Sequence, residues 1–285
     1  LIRDVEIFDG SGDAPWRGSC AIADGRIISL STAESRADNQ PISAKQEIDG
    51  SGFALAPGFI DIHTHDDMAV FNPKRMKAKL SQGVTTVVVG NCGISASPSP
   101  LARHSTLIPP LDLLGDNSSF RFTNANDYME ALAATAPKVN VLPLVGHTVL
   151  RARAMDDLQL PAGGSQLAAM QKDLSTALAA GMNGFSTGLA YPPAKAASTD
   201  EVLALAEVVA DVDGLWTTHM RDERSGVVAA VAETIDIARR SGVRTLISHH
   251  KCCGEAAFGL SRTTLAMISK ARDELRLDLD VYPYT

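Results

Sequence analysis

Aromatic residues are scarce in this 285-residue chain, at 5% of the total, and basic residues are outnumbered by acidic ones, 26 to 33, for a formal net charge of −7. That balance gives no electrostatic grip on nucleic acid or on an anionic bilayer, so neither is expected as a partner. No apolar stretch approaches the roughly 20 residues that cross a membrane. The N-terminal LIRDVEIFDG lacks the basic segment and apolar run of a signal peptide. It also lacks an initiator methionine, so the numbering is expected to begin inside a longer chain. The cysteines are Cys20, Cys92 and the adjacent Cys252 and Cys253. Their spacing is not that of a disulfide framework, which points to a reducing, cytoplasmic setting.

Residues 1 to about 56 are β-rich, with Asp24-Gly25 between two apolar runs as a type I′ hairpin signal. From there strand and helix alternate. Strand-like runs lie at 58–63, 84–89, 139–145, 183–188, 215–219, 244–248 and 277–281. Helical periodicity fills 74–82, 126–136, 165–180, 200–211, 225–240 and 262–275. Asn126, Ser165 and Thr199 suit N-caps, and Gly181 and Gly242 suit stops. The long Ser- and Pro-rich segment 93–125 reads as a functional loop. Strict β-then-α alternation implies parallel strands with helical crossovers. A Rossmann sheet needs a Gly-rich phosphate turn after its first strand. None follows here, because that strand ends in His-Thr-His. The expected fold is therefore α/β: residues 57–285 form a (β/α)8 TIM-type barrel with about seven strands present, after a 1–56 domain.

Barrel chemistry sits at the C-terminal strand ends. Five of the seven histidines fall there: His63, His65, His147, His219 and His249. His63 and His65, two apart on a strand, share a face and can bind one ion. Cys92 ends the second strand in VTTVVVGNCG. Imidazole and thiolate are the ligands zinc prefers, so Cys92 reads as a metal-bound thiolate. In SHHKCCG only one of His249 and His250 can face inward, and geometry leaves that choice open. Cys252 and Cys253 read as packing residues, because adjacent cysteines chelate poorly.

APGFIDIHTHDD, GVTTVVVGNCG, GFSTGLAYPP, THMRDE, SHHK and DVYPYT together resemble the N-acyl-D-amino-acid deacylases (D-aminoacylases) of the amidohydrolase superfamily. The resemblance implies a tightly bound Zn2+ on Cys92, His219 and His249. It also implies a second, weaker metal position near His63 and His65 that shares Cys92. Lys251 and Tyr282 then fall where the family binds the substrate's free carboxylate. The family's small β-sandwich would take residues 1–56 as its N-terminal part. Its eighth barrel strand, with the general-base aspartate, would lie beyond Thr285, leaving no catalytic carboxylate within 1–285. Asp66 and Asp67 are not expected to replace it.

The implied reaction is zinc-dependent hydrolysis of N-acyl-D-amino acids, small-molecule substrates, to a carboxylate and a free D-amino acid. His147 is expected to have a structural role or to support the ligands, and Arg221 and Glu223 to pair with each other. Three other readings stay open. A hydantoinase- or dihydroorotase-type cyclic amidase would carry lysine in place of Cys92. A mononuclear deaminase would carry glutamate in place of Arg221. A non-catalytic metal-binding scaffold would need neither.

Overall fold

The computed structural model describes residues 1–32 and 43–282. Residues 33–42 of the β-rich segment, and Pro283–Thr285 at the end of DVYPYT, lie outside the described residues. Contacts divide the chain into two units, Leu1–Phe59 and Ile60–Thr285.

The first unit is a five-stranded sheet of β1 (Ile2–Ile7), β2 (Trp16–Ala23), β3 (Arg26–Thr32), β4 (Ile48–Asp49) and β5 (Ala54–Leu55). Its order is β3-β2-β1-β4, with β5 also on β1. Strands β2 and β3 form the hairpin expected at Asp24-Gly25, where both residues take positive φ (50° and 72°). A type I′ turn requires that, and its twist matches the strands it joins.

The second sheet has seven strands: β6 (Phe59–Asp61), β7 (Val84–Val89), β8 (Asn140–Gly146), β9 (Gly184–Gly188), β10 (Leu215–His219), β11 (Arg244–Ile247) and β12 (Leu277–Leu279). They lie side by side in chain order. The pairings from β7 to β12 are parallel. The sheet curls: just past β6 and β12, His63 Nδ1 and Asp280 Oδ2 come within 3.4 Å. No eighth strand of this sheet is among the described residues. Where the central strands are buried on both faces they carry apolar or hydroxyl side chains, as at Val87, Val88 and Val89, all at most 2% exposed, and at Ser186, Thr187, Thr217 and Thr218.

Eight helices fill the crossovers among the described residues: α1 (Pro73–Leu80), α2 (Ala125–Thr135), α3 (His147–Ala154), α4 (Gly164–Ala179), α5 (Pro192–Lys195), α6 (Thr199–Ala210), α7 (Val227–Ser241) and α8 (Ser261–Arg272). Two of them, α3 and α5, lie where the periodicity gave none. Helix α6 sets Leu205 and Val209 in the same core as Phe185 and Trp216 of the sheet. Each such side chain contributes roughly 1.5–3 kcal/mol on burial.

The helices begin slightly earlier than capping chemistry suggested. Asn124, not Asn126, accepts the Asp127 N–H, while Asn126 turns outward to Glu130. Ser198, not Thr199, caps α6, and the Thr199 hydroxyl bonds Glu233 instead. Gly163, not Ser165, precedes α4. Gly242 does end α7 in the left-handed region.

Segment 93–125 is less exposed than its composition implied. Residues 91–100 are buried throughout, and short 3-10 turns span Leu111–Leu114 and Asn117–Phe120.

Candidate metal centre

Strand β7 delivers Cys92. The chain leaves the strand through Gly90, whose φ is +82° and where a Cβ would meet the Leu144 carbonyl oxygen at 2.2 Å. Only glycine fits so close an approach. Cys92 itself takes the left-handed conformation, φ 56°. Its side chain is 2% exposed.

Around the sulfur, His63 Nε2 stands at 3.2 Å and His249 Nε2 at 3.5 Å. Ligand atoms on a zinc tetrahedron with bonds of about 2.0–2.3 Å lie about 3.6 Å apart. Both separations are near that edge length. His63, Cys92 and His249 form one group of mutually close donors, and His219, Glu223 and His249 form a second. His249 belongs to both. The trio Cys92, His219 and His249 suggested by the resemblance is not itself such a group; the Glu223 carboxylate stands 2.9 Å from His249 Nδ1 and 3.6 Å from His219 Nε2. The His219 and His249 rings still pack edge to face, with centroids 4.5 Å apart. His65 stands beside His63, centroid to centroid 5.8 Å.

The donor chemistry fits a cation. Burial, with the charges of Asp280 and Glu223 nearby, pushes the Cys92 thiol up to about 12. An anion there becomes stable only beside positive charge. Burial likewise pulls His65 and His219 down to about 4, so both are neutral and carry lone pairs at pH 7. The Nδ1 atoms of His65 and His219 are buried with no hydrogen-bond partner. Buried polar atoms are seldom left so.

Two carboxylates that sequence reasoning did not place here complete the surroundings. Asp280, at the end of β12, accepts the His249 backbone N–H at 2.6 Å and faces His63 Nδ1. With Nδ1–H held by Asp280, the His63 Nε2 lone pair is turned toward Cys92. Glu223 does not pair with Arg221, as expected from the sequence. Its oxygens lie 2.9 Å from His249 Nδ1 and 2.6 Å from Lys251 Nζ. Arg221 turns away to Glu233 on α7 and to the Lys195 carbonyl. Burial alone would raise Glu223, but His249, His219 and Lys251 hold it below the usual carboxylate range.

Lys251 Nζ also reaches His249 Nδ1 at 2.9 Å and the His249 carbonyl at 3.2 Å. It lies 5.3 Å from the Tyr282 ring, which stacks on His249 at 6.0 Å. Tyr282 is 44% exposed. Tyr191, immediately before α5, packs its ring 4.7 Å from that of His219.

The remaining candidates lie elsewhere. His250 faces away from Cys92 and bonds the Thr264 hydroxyl at 2.9 Å. His147 does not end a strand. It opens α3, fully buried, and meets Glu201 at 2.8 Å. Asp66 pairs with Lys79, and Asp67 is buried under the Cys92 turn. Cys252 packs against the apolar cluster around Ile247 and Ile268.

The sequence profile of the Amidohydrolase family matches residues 46–247. The chain is 46% identical to the N-acyl-D-aspartate deacylase of Alcaligenes xylosoxydans xylosoxydans, over all of this chain and 55% of that protein. It superposes on the crystal structure of a D-aminoacylase with a TM-score of 0.91 at 41% identity, over 99% of this chain and 58% of the other. It also superposes on the N-acyl-D-glutamate deacylase of Bordetella bronchiseptica, complexed with zinc and a phosphonate mimic of the tetrahedral intermediate. That match has a TM-score of 0.89 and 44% identity, over 99% of this chain and 58% of the other. The chain thus spans little more than half the length of these relatives.

Proposed function

The chain belongs to the amidohydrolase family, and from that premise we propose that the protein containing it hydrolyses N-acyl-D-amino acids with zinc held by Cys92, His63, His65, His219 and His249. The observation that carries this reading is a buried thiol facing two imidazole nitrogens at 3.2 and 3.5 Å, with a lysine ammonium on the next turn of chain. A cyclic amidase of the hydantoinase type would place lysine where Cys92 stands, and a deaminase would place glutamate where Arg221 stands. The relatives' amide substrates suit the donor set found here. We infer one tightly held zinc and a second, weaker position sharing Cys92 and His249. We also infer closure of the curled sheet into a (β/α)8 barrel by an eighth strand beyond Thr285, and completion of the 1–56 segment as a β-sandwich. We also infer a reducing, cytoplasmic setting, a reading supported by cysteine spacing that is not that of a disulfide framework. No helix among the described residues is long and apolar enough to cross a membrane.

A bound zinc ion would polarise the amide carbonyl and acidify a water molecule beside it, toward a pKa of ~7. The chain's own residues do the rest. Asp280 and Glu223 fix the rings of His63 and His249. Lys251 and Tyr282 receive the free carboxylate of the substrate. Lys251 donates to Glu223 at 2.6 Å and to the His249 carbonyl at 3.2 Å, and its Nζ stands 2.9 Å from His249 Nδ1, the nitrogen that faces Glu223. The longest of these contacts, 3.2 Å to the His249 carbonyl, is the one a substrate carboxylate displaces. The resemblance to the D-aminoacylases implies that the carboxylate moving the water's proton to the leaving nitrogen belongs to an aspartate beyond Thr285.

The reading is tested on the full-length protein, which is expected to hydrolyse N-acetyl-D-amino acids and to leave the L enantiomers intact. Turnover of cyclic imides with none of linear D-amides would overturn it. Lys251→Met should raise KM for these substrates by about tenfold or more while kcat changes less, since one charged contact contributes roughly 1.5–3 kcal/mol. An unchanged KM removes Lys251 from the carboxylate site. The paired histidines separate in a second measurement. His249→Ala should lose tightly bound zinc on dialysis, whereas His250→Ala should keep it and lose about 1 kcal/mol of stability with the Thr264 bond. The reverse result would exchange their roles.

A further inference from the structure

The Cys92 thiol stands in a conformation that L-residues avoid, at a cost of roughly 1–2 kcal/mol. Something must hold it there. The turn Gly90–Ala96 is gripped at both ends by one side chain. Asp67, fully buried, accepts the Gly90 N–H at 3.2 Å on one carboxylate oxygen and the Ala96 N–H at 3.1 Å on the other. From the opposite side Ser186, in the middle of β9 and also fully buried, grips the centre. Its hydroxyl accepts the Gly93 N–H at 2.9 Å and donates to the Gly90 carbonyl. Gly93 follows Cys92 directly, so Ser186 and Asp67 between them hold the backbone on both flanks of the thiol. Neither residue touches a metal-ligand side chain in any of these bonds.

We propose that Asp67 and Ser186 form a two-sided clamp on the Cys92 turn and are positioning residues for the metal-binding thiol. The proposal rests on the reading that Cys92 holds zinc. The clamp fixes the sulfur 3.2 and 3.5 Å from the His63 and His249 nitrogens before any ion arrives. Without it the turn relaxes toward an unstrained φ and swings the sulfur off the ligand position. Residues that orient a metal ligand typically change metal affinity by about 10- to 100-fold.

The test uses Ser186→Ala and Asp67→Asn in the full-length protein. The first deletes the hydroxyl, and the second exchanges one acceptor oxygen for a donor without changing shape. Thr234→Val removes a comparably buried hydroxyl on α7, where it bonds only the Ala230 carbonyl, and serves as control. Zinc affinity is read by competition with a chromophoric chelator, and the iodoacetamide alkylation rate of Cys92 is read in metal-free protein by peptide mass spectrometry. Both clamp variants are expected to bind zinc about 10- to 100-fold more weakly and to alkylate Cys92 faster, with Thr234→Val like wild type on both counts. If Asp67→Asn folds and matches wild type, Asp67 is no part of the clamp. If Ser186→Ala matches wild type in both readouts, the proposal is overturned whatever Asp67→Asn does. Should the wild-type protein itself bind no zinc, the functional reading fails. The alkylation rates still decide the clamp, because they need no metal.

Discussion

Replacing Cys92 with alanine is expected to abolish tightly bound zinc in the full-length protein and to reduce its hydrolysis of N-acetyl-D-amino acids to background. Elemental analysis should find about one zinc per wild-type chain that survives dialysis, and none in Cys92→Ala. The expectation follows from where the sulfur lies. It is buried at 2% exposure between His63 and His249, and no other cysteine among the described residues belongs to either donor group. Loss of the thiolate removes the negative charge that both proposed metal positions share. The loss should therefore exceed the 10- to 100-fold typical of residues that merely orient a ligand. Cys20→Ala is the matched control, a buried cysteine in β2 of the other unit. Cys92→Ala with full zinc occupancy would end the assignment.

Much of this arrangement was legible in the sequence, for a definite reason. Seven strand-like runs bounded by turn residues became β6 to β12 with each end within two residues of the expected limit, because runs rich in apolar and β-branched residues between turn residues suit strands of a buried parallel sheet. The ends were harder where two capping residues compete. At 198–199 both Ser and Thr can accept the N–H, and only the neighbouring Glu233 decides that Thr199 is otherwise engaged. His147 was misplaced for a similar reason. The strand stops at Gly146 and the helix starts at once, so the ring joins the helix layer. Asp280 and Glu223 went unread because a carboxylate announces its partner only in three dimensions. Arg221 and Glu223 are two residues apart in an irregular turn, yet they point to different neighbours, one to α7 and one to the histidines. The clamp residues were beyond reach for the same reason: Asp67 and Ser186 meet the Cys92 turn from 23 and 93 residues away or more.

The other large effect is expected far from the metal ligands. Arg151 donates from Nη1 to both oxygens of Glu201, at 2.6 and 2.8 Å, with the side chains 0% and 2% exposed. Every guanidinium nitrogen of Arg151 is engaged, the others reaching the Pro193, Leu158 and Leu160 carbonyls, so the pair ties α3, α5 and α6 together. His147 shares the same carboxylate. Glu201→Gln keeps the shape but leaves Arg151 as an uncompensated buried charge, which costs about 3–5 kcal/mol. At roughly 2–4 °C per kcal/mol, the melting temperature should fall by on the order of ten degrees. Asp200→Asn, one residue away in an exposed pair with Arg240, should cost no more than about 1 kcal/mol. Acid sensitivity should change with it. Burial alone would raise Glu201, but His147 and Arg151 hold it down to about 2, against 4.5 unperturbed. The native state then binds fewer protons than the unfolded state in that range, so stability rises with pH there. The contribution is complete above about 4.5 and is lost as the pH falls toward 2. Burial depresses His147 in the same sense, despite Glu201, adding a loss of stability that begins below about 6.5. Thermal unfolding followed from pH 7 to 3 should thus show Glu201→Gln already low at pH 7 and converging on wild type as the pH drops below 4.5. Equal melting temperatures at pH 7, or a gap that widens in acid, would show that the buried pair does not hold these helices as described.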